Sequence, residues 1–211
     1  MRRTSAAPGQ FFDSLLAALK KNKLTVTMAA LFFVGMTYGS IIVGFGDEKL
    51  LHTLAFMTKG YMAGRVEQSL AETFLNSLYT SGAFVLLLFL LGFSAISIPA
   101  ILFLPLFKGL GLGLSVGYLY ITYGVKGVAF TAAVILPAAL LSTFAIILAG
   151  REAFRLSVLF LSSFIPRLSG TITPRTVKLY CAKFLVLAGI VLISVIIDCA
   201  VTFLFSGFMI L

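Results

Sequence analysis

Charge is what this sequence has least of. Only 11% of its 211 residues are Asp, Glu, Lys or Arg, where a water-soluble domain carries about 25%. Acidic residues are scarcer still, 7 against 16 Lys and Arg. With 60% hydrophobic residues and a mean hydropathy of +1.11, a soluble globular domain is excluded and an all-α polytopic membrane helix bundle is expected. A hydrocarbon layer about 30 Å thick leaves room for about four to six spanning helices and no separate globular domain. His52 is the one histidine, and the cysteines are limited to Cys181 and Cys199. No Cys/His cluster has metal-ligand spacing. On one helix the two cysteines would stand about 27 Å apart, too far to bridge, and they read as small buried apolar residues. HExxH, GxSxG and Walker motifs are missing as well. The sequence therefore predicts no catalytic residues, no metal and no cofactor, and His52 reads as a solvated surface residue.

What the chain does have is long apolar runs. The longest, Ile98 to Arg151, holds two charges before Arg151, Lys108 and Lys126. It reads as a helix end, a tight turn at Lys108, a glycine-lined helix, a turn at Gly124-Val-Lys-Gly127 and a further helix. Five spans follow: about 24–45, 78–104, 109–123, 128–149 and 184–208, with Pro99 placed to kink the second. Residues 1–23 form an N-terminal segment, and 24–211 one transmembrane bundle domain. In the first segment Phe12, Leu15, Leu16 and Leu19 share a helix face, which suits an interfacial helix or a plain extension of the first span equally. The apolar stretch 156–165 suits either an interfacial helix or a prolongation of span four.

The net charge of +9 does not point to nucleic acid, because the basic residues sit at the ends of apolar runs rather than along a stripe with interleaved aromatics. They mark the cytoplasmic side and attract anionic lipid. With the N-terminus cytoplasmic, twelve of the sixteen basic residues fall inside (Lys108 among them) and Lys49, Lys59, Arg65 and Lys126 outside. Residues 47–77 then face outward, 151–183 form a cytoplasmic basic loop, and the C-terminus lies outside. The outward segment reads as two amphipathic helices. Leu50, Leu51, Leu54 and Met57 line the first, and the capping box Ser69-Leu-Ala-Glu72 starts the second. Leu50, Leu54, Met57, Leu70 and Phe74 are candidate partner contacts.

Gly109, Gly113 and Gly117 repeat every fourth residue, which puts them on one helix face where another backbone can approach closely. A seam within the monomer is favoured over a homodimer contact. Pro137 frees a backbone carbonyl in mid-membrane and reads as a packing kink, with a transport site as the other option. Asp198 is the acidic residue deep in a predicted span, where an ionised carboxylate must be paired, protonated or wet. It suits a proton relay, a polar lock against a neighbour, or a position closer to the outer interface. Gly44-Phe-Gly-Asp47 matches the GxGD of intramembrane aspartyl proteases, with Asp198 as the one available second carboxylate. In those families, however, the other aspartate precedes this motif, and Asp47 also makes an ordinary helix N-cap.

Taken in order, several short pieces resemble the stage II sporulation protein M family. They are Met1-Arg-Arg-Thr-Ser5, a span ending near Gly44, and Phe74-Leu-Asn-Ser-Leu78, then Gly92-Phe-Ser-Ala-Ile-Ser-Ile-Pro99 and Phe107-Lys-Gly109. The pattern closes with Gly113 to Gly117, Gly124-Val-Lys-Gly127 and Ile135-Leu-Pro137. Ala138-Ala139 departs from it, since relatives carry a polar or acidic residue there. The resemblance implies a role in endospore formation, in the mother-cell membrane during engulfment of the forespore. It implies a non-enzymatic scaffold for two peptidoglycan-degrading partners, a stage II sporulation protein D-like transglycosylase and a stage II sporulation protein P-like amidase. A small transporter or permease-like module is the competing expectation.

Overall fold

The computed structural model describes residues 22–46, 70–164 and 173–206. Among them the chain forms α1 (Lys23–Gly44), α2 (Leu70–Leu91), α3 (Ile98–Phe130), a π-helical stretch (Thr131–Ile135), α4 (Leu136–Phe164) and α5 (Pro174–Ser206), and no strand. Five helical stretches are long and apolar enough to cross a membrane. The protein is an all-α, multi-pass membrane protein. The N-terminal face around Phe12, the outward residues Asp47, Leu50, His52, Leu54 and Met57, and the Ser69 cap lie outside the described residues.

The helix breaks do not fall where charge suggested. Helix α3 runs without interruption through Lys108, so the turn expected there does not exist, and span two ends at Leu91 rather than near 104. The break lies at 92–97. Ser97 sends its hydroxyl back to the Leu91 and Ser94 carbonyls, satisfying acceptors that α2 leaves open at its end. Pro99 then occupies the first turn of α3, where its missing N–H costs nothing, so it starts a helix instead of kinking one. Without Lys108 the inside total falls to eleven basic residues against four outside, with Lys108 counted in neither group.

The turn expected over 124–127 narrows to one residue. Gly124 has φ 58° and ψ −136°, a backbone conformation open essentially to glycine. The chain folds back there and brings Gly127 against the Leu119 carbonyl. Helix α4 continues to Phe164, so 156–164 prolongs span four, and α5 begins at Pro174, ten residues before the expected start at 184. Cys181 and Cys199 both lie on α5. Cys181 is exposed and Cys199 half-buried, so neither is the fully buried small residue that was expected.

Two kinds of packing hold the bundle. Helices α1 and α3 lie parallel and backbone to backbone. Gly109, Gly113 and Gly117 face Phe32, Met36 and Ser40, while Gly35 and Gly39 face Leu106 and Leu110. A methyl group at Gly35, Gly109 or Gly113 would run into a carbonyl oxygen of the facing helix. Ser40 Oγ donates to the Gly113 carbonyl at 3.1 Å. The second packing is side-chain based. Leu88, Ile101, Ile146, Ala149, Ala153, Leu156 and the buried face of α5 interlock, with Met28 reaching in from α1. On α5 the residues Tyr180, Phe184, Leu187, Val191, Val195, Asp198 and Thr202 form the buried face. They are spaced by three or four residues, which keeps them on one side of a helix.

Candidate functional site

Many hydroxyls inside these spans bond back to their own helix, as Thr37, Thr80 and Ser115 do, and a smaller set reaches another helix or turn. One interhelical cluster joins α2 and α5. Asp198 is 6% exposed, and Ser77 Oγ donates to its Oδ2 at 2.5 Å. Ser77 sits one helical turn beyond the buried Thr73, and Asp198 one turn before the buried Thr202, so hydroxyls and carboxylate share facing sides. Asp198 stands fifteen residues beyond Lys183, which places it about 22 Å along α5 from that lysine. A charged side chain near the bilayer centre costs about 2.5–3.5 kcal/mol on insertion scales, so a neighbour that donates to the carboxylate is required rather than decorative.

Lys108 approaches the same region from α3. It lies ten residues after Ile98, about 15 Å into the helix, and is half-buried. Its Nζ sits 5.2 Å from the centre of the Phe84 ring on α2, a distance at which a desolvated cation gains about 0.5–2 kcal/mol from the ring face. Phe84 and Ser77 are seven residues apart, two turns along one side of α2. That side of α2 therefore meets a cation from α3 and a carboxylate from α5.

A second polar contact lies at the π-helical stretch. Pro137 has no N–H to offer the carbonyl four residues earlier, and the helix widens to π geometry immediately before it. Such widening is frequent at functional sites. Ser194 Oγ donates to the Ala138 carbonyl at 2.7 Å, and Thr131 Oγ1 to the Gly127 carbonyl at 2.8 Å. Ala138 carries this contact through its backbone carbonyl.

The opposite end of the bundle is clamped around the 92–97 turn. Tyr180 donates to the Phe89 carbonyl at 2.9 Å. Gly92 leaves room for that hydroxyl, since a side chain there would strike it. Ser157 Oγ donates to the Ser94 carbonyl at 2.6 Å. Tyr180 stacks on Phe89 with ring centres 5.4 Å apart and touches Phe184 at 4.6 Å. Nearby, Lys183 meets Glu152 at 2.6 Å and Arg155 meets it at 3.6 Å. Both cations are about half exposed, so these pairs mark a polar boundary and add little stability.

The structure thus brings Asp198 to Ser77, Gly109, Gly113 and Gly117 to α1, and half-buried Phe74 to the edge of the core. Pro137 is half-buried beside the π stretch. Leu50, Leu54 and Met57 lie outside the described residues, as does the Leu70 side chain. Among the described residues no group of three His, Cys, Asp or Glu comes together. Sequence reasoning missed Lys108 and Ser77. A lysine inside an apolar run of fifty residues was the available signal, and it was taken for a turn.

Comparison with known proteins gives one family. The model described as Stage II sporulation protein M matches residues 28–208, from within α1 through the end of α5. No curated protein and no solved structure matches the chain.

Proposed function

The chain belongs to the Stage II sporulation protein M family and is a multi-pass membrane protein of sporulation; from that premise we propose that it is a non-enzymatic platform that holds peptidoglycan hydrolases at the membrane during engulfment of the forespore. The observation that carries this reading is the family match across the whole helical bundle. The way the bundle uses its polar groups supports it. Ser40, Ser77, Ser157, Tyr180 and Ser194 each tie one helix or turn to another. Hydroxyls employed this way make a rigid frame. The platform sits in the mother-cell membrane with its N-terminus in the cytoplasm and the 47–69 segment outside. Its partners are a stage II sporulation protein D-like transglycosylase and a stage II sporulation protein P-like amidase. Crosslinking in sporulating cells, followed by capture of the tagged full-length chain, tests the reading. Both hydrolases are expected in the captured fraction, and a fraction without either contradicts it.

A second reading, a proton-coupled transporter, draws on Lys108 and Asp198, because ionisable groups inside a membrane often mark ion pathways. Asp198→Asn separates the two. A carrier would lose substrate uptake outright, whereas a platform would keep its partners at reduced affinity or stability.

A further inference from the structure

The Glu152 contact adds little stability, yet it orders the cations around it. Glu152 keeps only 16% of its side chain exposed. Lys183 Nζ donates to its Oε2 at 2.6 Å, and Arg155 Nη1 lies 3.6 Å from its Oε1. One carboxylate thus holds two half-exposed cations from α4 and α5 side by side. Arg151, half-buried, stands one turn before Arg155 on the same side of α4. The other acidic residues among the described ones are Glu72, in the first turn of α2, and Asp198. Asp198 is about 22 Å along α5 from Lys183. This end of the bundle therefore carries an excess of positive charge around a single acid.

Its depth is set by the apolar runs. No charged residue lies between Lys126 and Arg151, nor between Lys183 and Asp198. The first run is about 36 Å of helix, enough for a hydrocarbon layer about 30 Å thick. Past the Glu152–Lys183 contact, α4 continues to Phe164, and α5 reaches back to Pro174. Both helices thus extend about 13–18 Å further, through a headgroup layer about 5–8 Å thick. The two cations stand where hydrocarbon gives way to lipid headgroups.

We propose that Arg155 and Lys183, set side by side by Glu152, form a binding site for the phosphate of an anionic phospholipid in the leaflet at the 92–97 end of the bundle. Guanidinium and ammonium carry five and three N–H donors, and the carboxylate occupies only part of them. Half of each side chain is open to the surroundings. The guanidinium fork suits two phosphate oxygens, while the ammonium acts as a point charge beside it. Little ordering remains for the lipid to impose, because Glu152 already holds both cations and Tyr180 and Phe184 fix α5 against Phe89 of α2. A lipid with net negative charge answers the local excess, which a zwitterionic one does not. General attraction of basic residues to anionic lipid is spread over all of them, whereas this site belongs to one pair. It rests on no part of the platform reading.

The test is thermal unfolding of the full-length chain in uncharged detergent micelles doped with phosphatidylglycerol or with phosphatidylcholine. A lipid that binds only the folded bundle raises its melting temperature. Wild type is expected to melt higher with phosphatidylglycerol than with the same amount of phosphatidylcholine, and inorganic phosphate alone should not reproduce the rise. Arg155→Gln and Lys183→Gln should each abolish the difference between the two lipids. Arg175→Gln removes an exposed cation from the far end of α5 and should keep it. Each variant is compared with itself in the two lipids, so a general loss of stability cancels. Should Lys183→Gln fail to fold, Lys183→Arg decides: it keeps the cation and must retain the difference, and its loss overturns the proposal. No difference in wild type, or an equal loss in Arg175→Gln, would leave only diffuse surface attraction and overturn the site. A rise produced by inorganic phosphate alone would make the ligand a soluble anion and overturn the lipid assignment.

Discussion

At the scale of single residues, the structure turns on what a membrane does to polar atoms. Asp198 is tolerable because Ser77 donates to it. Hydrogen bonds to charged groups contribute about 1.5–3 kcal/mol in water-soluble proteins, and interhelical ones in membranes average about 0.6 kcal/mol with a maximum near 1.7. Ser77→Ala should therefore lower bundle stability by about 1–2 kcal/mol, read as a lower midpoint in unfolding by denaturing detergent. An unchanged midpoint would mean that the carboxylate is held by something else. Tyr180→Phe removes the hydroxyl that reaches the Phe89 carbonyl and keeps the ring stack. It should cost about 1 kcal/mol, less than Tyr180→Ala, which also empties the aromatic cluster.

At the scale of helices, the seam between α1 and α3 is the most exacting contact, because backbone atoms have no rotamers with which to yield. Gly113→Ala pushes a methyl into the Met36 carbonyl and should destabilise by about 1–3 kcal/mol, the usual range for overpacking. Gly111 is the control. It lies on the same helix with nothing within 4 Å of the added atom, so Gly111→Ala should be neutral or stabilise by up to about 1 kcal/mol through helix propensity. Equal effects at the two positions would refute the seam. Gly124→Ala meets a different obstacle, a positive φ with open space around it, and should cost about 1–3 kcal/mol in backbone strain. The helices also show which features can be read without a structure. Five apolar runs were legible because lipid demands length and apolarity. Their ends were not, because lysine and proline each have two uses. Lys108 lies within a helix with its ammonium over an aromatic ring, and Pro99 begins a helix at a position where it needs no N–H. Which face of α5 turns inward was also hidden. Leu185, Leu192 and Ile196 toward lipid are as apolar as Leu187, Val191 and Val195 in the core, so amphipathicity carries no signal.

At the scale of the whole molecule, the bundle is a parallel helix pair, α1 with α3, set against a core of α2, α4 and α5. Asp198 was legible as the acidic residue deep in a span. Its partner was not, because Ser77 comes from a distant part of the chain and only the fold brings the two together. The proposed platform places other proteins and performs no chemistry itself. The direct measurement is the position of the two hydrolases, each fused to a fluorescent protein, in sporulating cells with and without this chain. Both should concentrate at the engulfing membrane when the chain is present and spread along the cell envelope when it is deleted. Hydrolases that stay in place after deletion would contradict the account.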